Sequence, residues 1–228
     1  MKKLEDKLKN PVWYSLNETH KKFLIEFDGV QFYHPEVNTF GAFYDVTKTS
    51  KAMNEYSKIS EKFFLVSENK IPEIDNDFIT LEKKIDGCQM VLENLIEVEI
   101  TEEIILLTEE YIEEIYDLIW LVMPGFYRKR GFEMGDYFGI FKNNKLVAIT
   151  GERMQTDDFI EISGVVTHPD YTGKGFAKQL ITYTTKEILK EKKLPILHTN
   201  KGNKAIPLYE KLGFKVSRDM NWWLYCRK

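Results

Sequence analysis

The sequence has few cysteines and no excess of positive charge, and each deficit argues against a class of protein. Cys88 and Cys226 are the two cysteines among 228 residues, and they form no CxxC pair. A disulfide framework and a zinc site are therefore not expected, and we predict no metal. The net charge of -4 also lacks the basic footprint of a nucleic-acid-binding protein, so we expect no nucleic-acid partner.

Long uncharged apolar runs are missing as well. The most apolar region, residues 104–123, is interrupted by Glu109, Glu110, Glu113, Glu114 and Asp117. Such a segment cannot span a bilayer, so no membrane partner is expected. The first ten residues, MKKLEDKLKN, are charged and are followed by no apolar core, unlike a secretory signal peptide. We therefore predict a cytoplasmic protein.

What the chain does contain is an ordinary globular composition, with 43% hydrophobic and 30% charged residues. Its length suits one large domain or two small ones. The first hundred residues predict a small mixed α/β half. Its predicted helices cover residues 17–24 and 47–59, the second capped by Thr47 or Thr49. Its predicted strands cover residues 62–67, 78–85 and 88–92.

A second set of elements begins near residue 100. Thr108 starts a helix with a clear apolar stripe, and Asn143-Asn144 is a two-residue turn that predicts a β-hairpin. Gly213 ends a short helix. The predicted strands cover residues 103–107, 137–141, 145–153, 159–167, 194–199, 214–216 and 222–226. The other two predicted helices cover residues 175–192 and 205–212.

The most informative stretch is residues 161–177, EISGVVTHPDYTGKGFA. A β-branched strand ends at His168-Pro169, and two glycines lead into an amphipathic helix. Free N–H groups at such a helix start bind phosphate well. A P-loop would need Ser or Thr where Gly175 stands, and a dinucleotide fingerprint would need Gly where Lys178 stands. Neither pattern fits, and a turn without any ligand is the remaining alternative.

Residues 172–177, TGKGFA, resemble the Gln/Arg-x-x-Gly-x-Gly/Ala motif of the GCN5-related N-acetyltransferases, the GNAT family. Residues 203–214, NKAIPLYEKLGF, resemble the second signature of that family, with its Asn, Ala, Tyr and Gly-Phe pair. The resemblance implies an α/β (α+β) fold: a GNAT domain over residues 99–228 with a mixed, mostly antiparallel sheet flanked by helices. The whole chain also resembles bacterial acetyltransferases in which a degenerate GNAT-like half precedes the active one. Here that first half would be residues 1–98.

The resemblance implies acetyl-CoA as co-substrate. Thr172 stands where the family has Gln or Arg, so Lys174 or Lys178 would have to replace a lost pyrophosphate contact. Backbone groups before the turn would bind the pantetheine arm, and Asn203 would meet the same arm. The implied acetyl-CoA-binding residues are Val165, Val166, Thr167, Thr172, Gly173, Lys174, Gly175, Phe176, Ala177 and Asn203.

The resemblance also implies two catalytic residues. Glu161 corresponds to the general base; the two-residue strand period places it on one face with Ser163 and Val165, and burial should raise its pKa. The alternative is a solvated or lysine-paired carboxylate. Tyr209 corresponds to the general acid toward the CoA sulfur, with a core tyrosine as the alternative. His198 is expected to be packed rather than catalytic.

These residues imply an N-acetyltransferase acting on a primary amine of a small molecule, amino acid or peptide. The alternative function is a non-catalytic acyl-CoA-binding sensor or scaffold, which the Thr172 substitution favours. Arg128, Lys129 and Arg130 are expected to form a solvated charge run. The sequence specifies neither the acceptor nor the oligomeric state.

Overall fold

The computed structural model describes residues 2–75, 78–125 and 127–228. The helices are α1 (Lys2–Lys9), α2 (Pro11–Asn17), α3 (Thr49–Tyr56), α4 (Ile112–Val122), α5 (Phe176–Lys190) and α6 (Ile206–Lys211). The strands are β1 (Leu24–Phe27), β2 (Val30–Tyr33), β3 (Phe40–Ala42), β4 (Lys62–Ser67), β5 (Ile79–Leu92), β6 (Ile105–Leu107), β7 (Tyr137–Lys142), β8 (Lys145–Gln155), β9 (Phe159–Thr167), β10 (Leu194–Asn200) and β11 (Phe214–Arg227). None of the helices in these described ranges is long and apolar enough to cross a membrane.

All these strands join one sheet in the order β1-β2-β3-β4-β11-β5-β10-β9-β8-β7-β6. The pairs β3/β4 and β9/β10 are parallel and the other neighbours are antiparallel. Helix α5 lies against β8 and β9 on one face, and α4 contacts the same two strands. The mixed, mostly antiparallel sheet with flanking helices confirms the predicted fold class.

Strand β5 has the least expected position. It comes from before residue 99, yet it lies between β10 and β11 of the later half. It pairs with β10 from Val91 to Gly87 and with β11 along its whole length. The strands predicted separately at residues 78–85 and 88–92 are therefore one 14-residue strand. The domain boundary after residue 98 stays a prediction.

The two C-terminal strands predicted at residues 214–216 and 222–226 are likewise wrong. The structure has a single 14-residue strand, β11, whose pairing with β5 shifts register twice, between Val216 and Arg218 and between Leu224 and Tyr225. The physical reason is the long partner strand β5, which keeps residues 217–221 in extended pairing.

The N-terminal elements also differ from the predictions. Helix α2 starts at Pro11, a residue well suited to a first helical turn, and residues 21–23 form a 3-10 turn instead of continuing a helix. Helix α3 is preceded by a turn capped by Asp45, whose side chain accepts the Thr47 N–H. Neither Thr47 nor Thr49 is that cap. By contrast, the hairpin at Asn143-Asn144 is confirmed, with φ of 51° and 59° at the two turn residues.

Helices α1 and α2 are fixed to the later half by buried polar contacts. The fully buried Lys7 forms ion pairs with Glu18, at 2.7 Å, and with Asp158. His20 Nε2 lies 2.9 Å from the Met134 carbonyl oxygen, and burial lowers the pKa of His20 to about 4. The first hundred residues therefore pack against the rest of the chain instead of standing apart from it.

Candidate active site

The centre of the site is an opening between two parallel strands. β9 and β10 pair only where residues 159–162 face residues 194–197. Beyond Ile162, β9 continues to Thr167 without a strand partner on the β10 side among the described residues. The backbone N–H and C=O groups on that edge are left for another extended segment. The predicted pantetheine residues Val165, Val166 and Thr167 lie on this edge.

A β-bulge lies at the start of this opening. Ile149 pairs with Val166 and Gly151 pairs with Ser163, so two residues of β9 oppose one of β8. Gly164 supplies the required left-handed backbone, with φ of 59°. The bulge reverses the side-chain alternation, because Val165 packs in the same cluster as the even-numbered Ile160 and Ile162. The prediction that Val165 shares a face with Glu161 is therefore wrong.

The glycine turn follows at the end of β9. Gly173 and Gly175 have φ of 77° and 80°, and Gly175 is the N-terminal cap of the 15-residue helix α5. No side chain caps this helix, and a Cβ on Gly173 would meet no atom within 4 Å. The first N–H groups of α5, including those of Phe176 and Ala177, thus face an open space that suits an anion.

Two lysines lie close to this turn, whereas the Thr172 hydroxyl is engaged in it. Thr172 Oγ1 donates to the Pro169 carbonyl oxygen at 3.0 Å. The Lys174 ammonium lies 4.6 Å from the centre of the Tyr171 ring, and the Lys178 stem lies beside Gly175. Both lysines are therefore near the turn, where one of them would have to make the pyrophosphate contact that Gln or Arg makes in the family.

Asn203 is used by the protein itself. Its Nδ2 donates to Thr199 Oγ1 at 2.6 Å, and its Oδ1 accepts the Ala205 N–H at 2.8 Å. The side chain thus joins the end of β10 to the start of α6. Its predicted contact with the pantetheine arm stays a prediction.

Tyr209 packs beneath the sheet in an apolar cluster that includes residues of both strands. It is 9% exposed on α6 and packs in one cluster with Ile162 and Leu197, the last residues paired between β9 and β10. Burial raises the pKa of Tyr209, so the hydroxyl is protonated at neutral pH. That protonation state is the one a general acid needs.

Glu161 is fully buried and ionised, contrary to the prediction for its pKa. Arg153 binds it in two places, Nε to Oε2 at 2.8 Å and Nη2 to Oε1 at 2.6 Å. The Met154 N–H donates to the same carboxylate at 3.2 Å. Burial raises the pKa, but Arg153 and His198 together outweigh it and hold the pKa of Glu161 well below its usual range. The raised pKa predicted from burial alone is therefore wrong, and the role of general base remains a prediction.

His198 extends this buried network toward the first half. Its Nδ1 lies 2.7 Å from Glu161 Oε1, and its Nε2 lies 3.0 Å from Gln89 Nε2. Gln89 also donates to the Leu8 carbonyl oxygen at 2.9 Å. These contacts fit an imidazole that donates through Nδ1 and accepts at Nε2. Both ring nitrogens are thus occupied by protein partners.

A cleft of about 340 Å³ opens beside the bulge, and both halves of the chain line it. Val37, Asn38 and Phe40 contribute from the first half, whereas Ser163 and Gly164 belong to β9. The Arg153 guanidinium lies 4.9 Å from the centre of the Phe40 ring. The cleft therefore lies beside the free edge of β9, and residues from both halves of the chain form its wall.

Sequence reasoning missed Arg153 and Phe40. A signal for Arg153 existed, because it lies eight residues before Glu161, across the tight turn between two antiparallel strands. Such spacing places an arginine opposite a carboxylate. No comparable signal existed for Phe40, whose place in the cleft depends on how the two halves pack.

Comparisons with known proteins agree with this geometry. The FR47-like protein family matches residues 137–224. A solved acetyltransferase of the GNAT family from Novosphingobium aromaticivorans is 25% identical, with a TM-score of 0.85 over 97% of this chain and 98% of that one. No curated protein matches.

More distant solved structures share the fold. A GCN5-related N-acetyltransferase-like protein from Streptococcus suis is 15% identical, with a TM-score of 0.65 over 94% of this chain and 92% of that one. A GCN5-related N-acetyltransferase from Kribbella flavida is 13% identical, with a TM-score of 0.63 over 93% and 91%. Their likeness extends over both halves of the chain.

Proposed function

We propose that this chain acts as a member of the GNAT family of acetyltransferases and moves an acetyl group from acetyl-CoA to a primary amine of a small molecule, amino acid or peptide. The observation that carries the proposal is the unpaired edge of β9, which leads from the bulge at Gly164 to the open turn at Gly173 and Gly175. The cytoplasm remains the compartment predicted from the sequence.

The residues of this edge suit acetyl-CoA. Its pantetheine arm carries amide groups that can pair with the free backbone of residues 163–167, as an added strand would. Its pyrophosphate suits the uncapped start of α5, where Lys174 and Lys178 supply positive charge close to the turn. Acetyl-CoA supplies the acetyl group as a thioester, which an amine can attack directly.

The reaction requires one bond to form, one to break and two protons to be transferred, the first from the amine and the second to the sulfur. A C–N bond forms as the thioester C–S bond breaks, the amine loses a proton and the sulfur gains one. We assign the second proton to Tyr209, whose hydroxyl is protonated at neutral pH and whose ring packs in one cluster with residues of β9 and β10. The bulge at Gly164 turns backbone groups of β9 toward the point of attack.

We propose Glu161 as the base that accepts the first proton, although its environment makes it a weak base. An ionised carboxylate can accept a proton, but its bonds to Arg153 and His198 weaken it as a base. The same bonds give Glu161 a second task, because they fix the Arg153 guanidinium at the wall of the cleft. Proton transfer through water from an amine in the cleft is consistent with both tasks.

The test is a thiol-release assay with acetyl-CoA and a panel of primary amines, in the parent and Tyr209→Phe proteins. Phenylalanine keeps the ring and its packing, so CoA affinity should hardly change. If the hydroxyl protonates the sulfur, kcat should fall about 10²-fold or more. Normal kcat at saturating acetyl-CoA would leave Tyr209 with a packing role only.

The alternative function is an acyl-CoA-binding sensor or scaffold without catalysis. The observation that favours it concerns Thr172, whose hydroxyl already donates to the Pro169 carbonyl oxygen. Thr172 therefore cannot make the contact to pyrophosphate that a Gln or Arg side chain would make. The same assay separates the two functions. A folded protein that binds acetyl-CoA yet releases no thiol with any amine would support the sensor.

A further inference from the structure

We propose that the acceptor amine also carries a carboxylate, which Arg128 binds, and an apolar side chain, as in a free apolar amino acid. The inference rests on the proposed function and narrows its substrate class. It depends on the charges and the walls of the 340 Å³ cleft beside Gly164.

The charged groups at the cleft wall are of one sign. Arg128 and Arg153 line it, and no Asp or Glu among the described residues does so. Glu161 lies behind Arg153, with a side chain that is fully buried. A cationic acceptor thus meets no carboxylate among the lining residues, whereas an anionic group meets two arginines. One of them, Arg128, also lines a second cavity together with Glu36 and Glu61.

The two arginines are not equivalent. Arg153 is held through Nε and Nη2 by Glu161, so its positive charge is largely balanced. Arg128 is half-buried and forms no ion pair within residues 2–75, 78–125 and 127–228. A half-buried cation without a partner is an effective site for a carboxylate, especially for a planar, two-point contact.

The residues next to Arg128 show what an ordinary surface charge does here. Lys129 forms an ion pair with Glu113 at 2.6 Å. Arg130 pairs with Glu133 at 2.6 Å and with Glu36 at 2.9 Å. Both neighbours therefore behave as the solvated charge run predicted from the sequence, and Arg128 is the exception within it.

Apart from Asn38 and Ser163, most of the remaining lining residues of the cleft are apolar or aromatic. Phe40, Ile119, Met123 and Tyr137 line it, and they suit an aliphatic or aromatic side chain. The amine must reach the bulge at Gly164, where the free edge of β9 begins. The volume suits a molecule of amino-acid size, with the amine at β9 and the carboxylate at Arg128.

The experiment compares acceptors that differ in the carboxylate alone. L-phenylalanine is paired with L-phenylalanine amide and with phenethylamine, and L-leucine with L-leucine amide. We expect kcat/KM to be at least about ten-fold higher for each acid than for its amide in the parent protein, because a charge-assisted hydrogen bond is lost in the amide. In Arg128→Gln that preference should fall to about two-fold or less, mainly through KM.

Lys129→Gln is the matched control, since it removes the neighbouring charge outside the cleft and should keep the preference. Equal kcat/KM for acids and amides in the parent protein would overturn the inference without any variant. A preference that persists in a folded Arg128→Gln protein would overturn the assignment to Arg128.

A binding measurement separates this inference from the proposed function. Calorimetry in the presence of CoA compares N-acetyl-L-phenylalanine with its amide. If no amine is acetylated but the acid binds in the parent and not in Arg128→Gln, the proposed function fails while the anionic subsite stands. If neither compound binds and neither amine series reacts, both are wrong.

Discussion

The two sides of β10 differ sharply. On one side, β5 pairs with β10 over five residues and is itself paired along its whole length with β11. On the other side, β9 pairs over four residues and then separates from β10. One side of a single strand is thus closed by chain from the first half, and the other is left open. The closed side holds the sheet together, and the open side is where we propose that a ligand binds.

The polar groups follow the same division. Near the closed side, the Gln89 amide nitrogen and the His198 ring are engaged by protein partners, and Trp222 packs against His198 with ring centres 5.6 Å apart. Along the open side, the edge of residues 163–167 and the start of α5 lack such partners among the described residues. An unpaired backbone group costs stability unless water or a ligand binds it. The difference therefore supports the proposal that a ligand binds along the open side.

Removal of the closed side should have the largest effect. A fragment of residues 100–228 lacks β5, so β10 and β11 lose the strand that joins them and expose two long edges. We expect this fragment to be insoluble or unfolded, as judged by gel filtration and circular dichroism. A soluble fragment with full activity and unchanged acceptor preference would show that the first half is dispensable.

Glu161→Gln tests the buried network between the two sides. It leaves Arg153 without its counter-ion, so the free energy of unfolding should fall on the order of 3 kcal/mol at pH 7. The folded pKa of Glu161 is depressed, so its contribution exists above the unfolded pKa and is lost as pH falls through the folded pKa. The deficit, measured by urea unfolding, should therefore shrink below about pH 4.5. If Glu161 is also the base, kcat should fall about 10²-fold.

Glu152→Gln is the matched control, because it changes a second buried carboxylate of opposite behaviour. Burial raises the pKa of Glu152 to about 7. Ionisation of Glu152 thus destabilises the fold as pH rises from about 4.5 to 7, so the glutamine variant should gain stability relative to the parent over that range. A loss of stability in both variants at pH 8 would contradict the difference between the two carboxylates.

The smallest effect is expected at the open side itself. Gly175→Val places a side chain where acetyl-CoA pyrophosphate would lie and should weaken its binding at least ten-fold, about 1.4 kcal/mol, by calorimetry. Gly29→Val strains a similar left-handed glycine, φ of 77°, in the β1–β2 turn, away from the site. Equal acetyl-CoA affinity in the parent and both folded variants would remove the turn from the binding site.

Local signals in the sequence predicted most of the later half. The β-branched run of β9, the two asparagines of the β7–β8 turn and the glycines before α5 each specify a short structure by themselves. The position of β5 could not be predicted in this way, because a strand carries no local mark of its neighbours. The same holds for β11, whose polar middle is extended only because β5 lies beside it.

The features of the site that depend on backbone conformation could be predicted from the sequence. Those that depend on which side chains pair with each other could not. Gly173 and Gly175 form the turn predicted before α5, each with a left-handed backbone. The predicted rise in the pKa of Glu161 was wrong, because the prediction considered burial without Arg153. The predicted side-chain direction of Val165 was wrong, because one bulge residue reverses the alternation along β9. Arg128 was grouped with its neighbours, although its surroundings differ from theirs.

The place of β5 also sets the order in which the molecule can be completed. Gln89 and His198 meet across 109 residues of chain, and the pairings of β5 with β10 and β11 likewise join residues that are far apart in sequence. During synthesis β5 leaves the ribosome long before either neighbour exists, so it must remain unpaired or in temporary contacts until the final strands emerge. Such non-local pairing slows folding and prolongs exposure of an apolar strand. The site is thus one of the last parts to form.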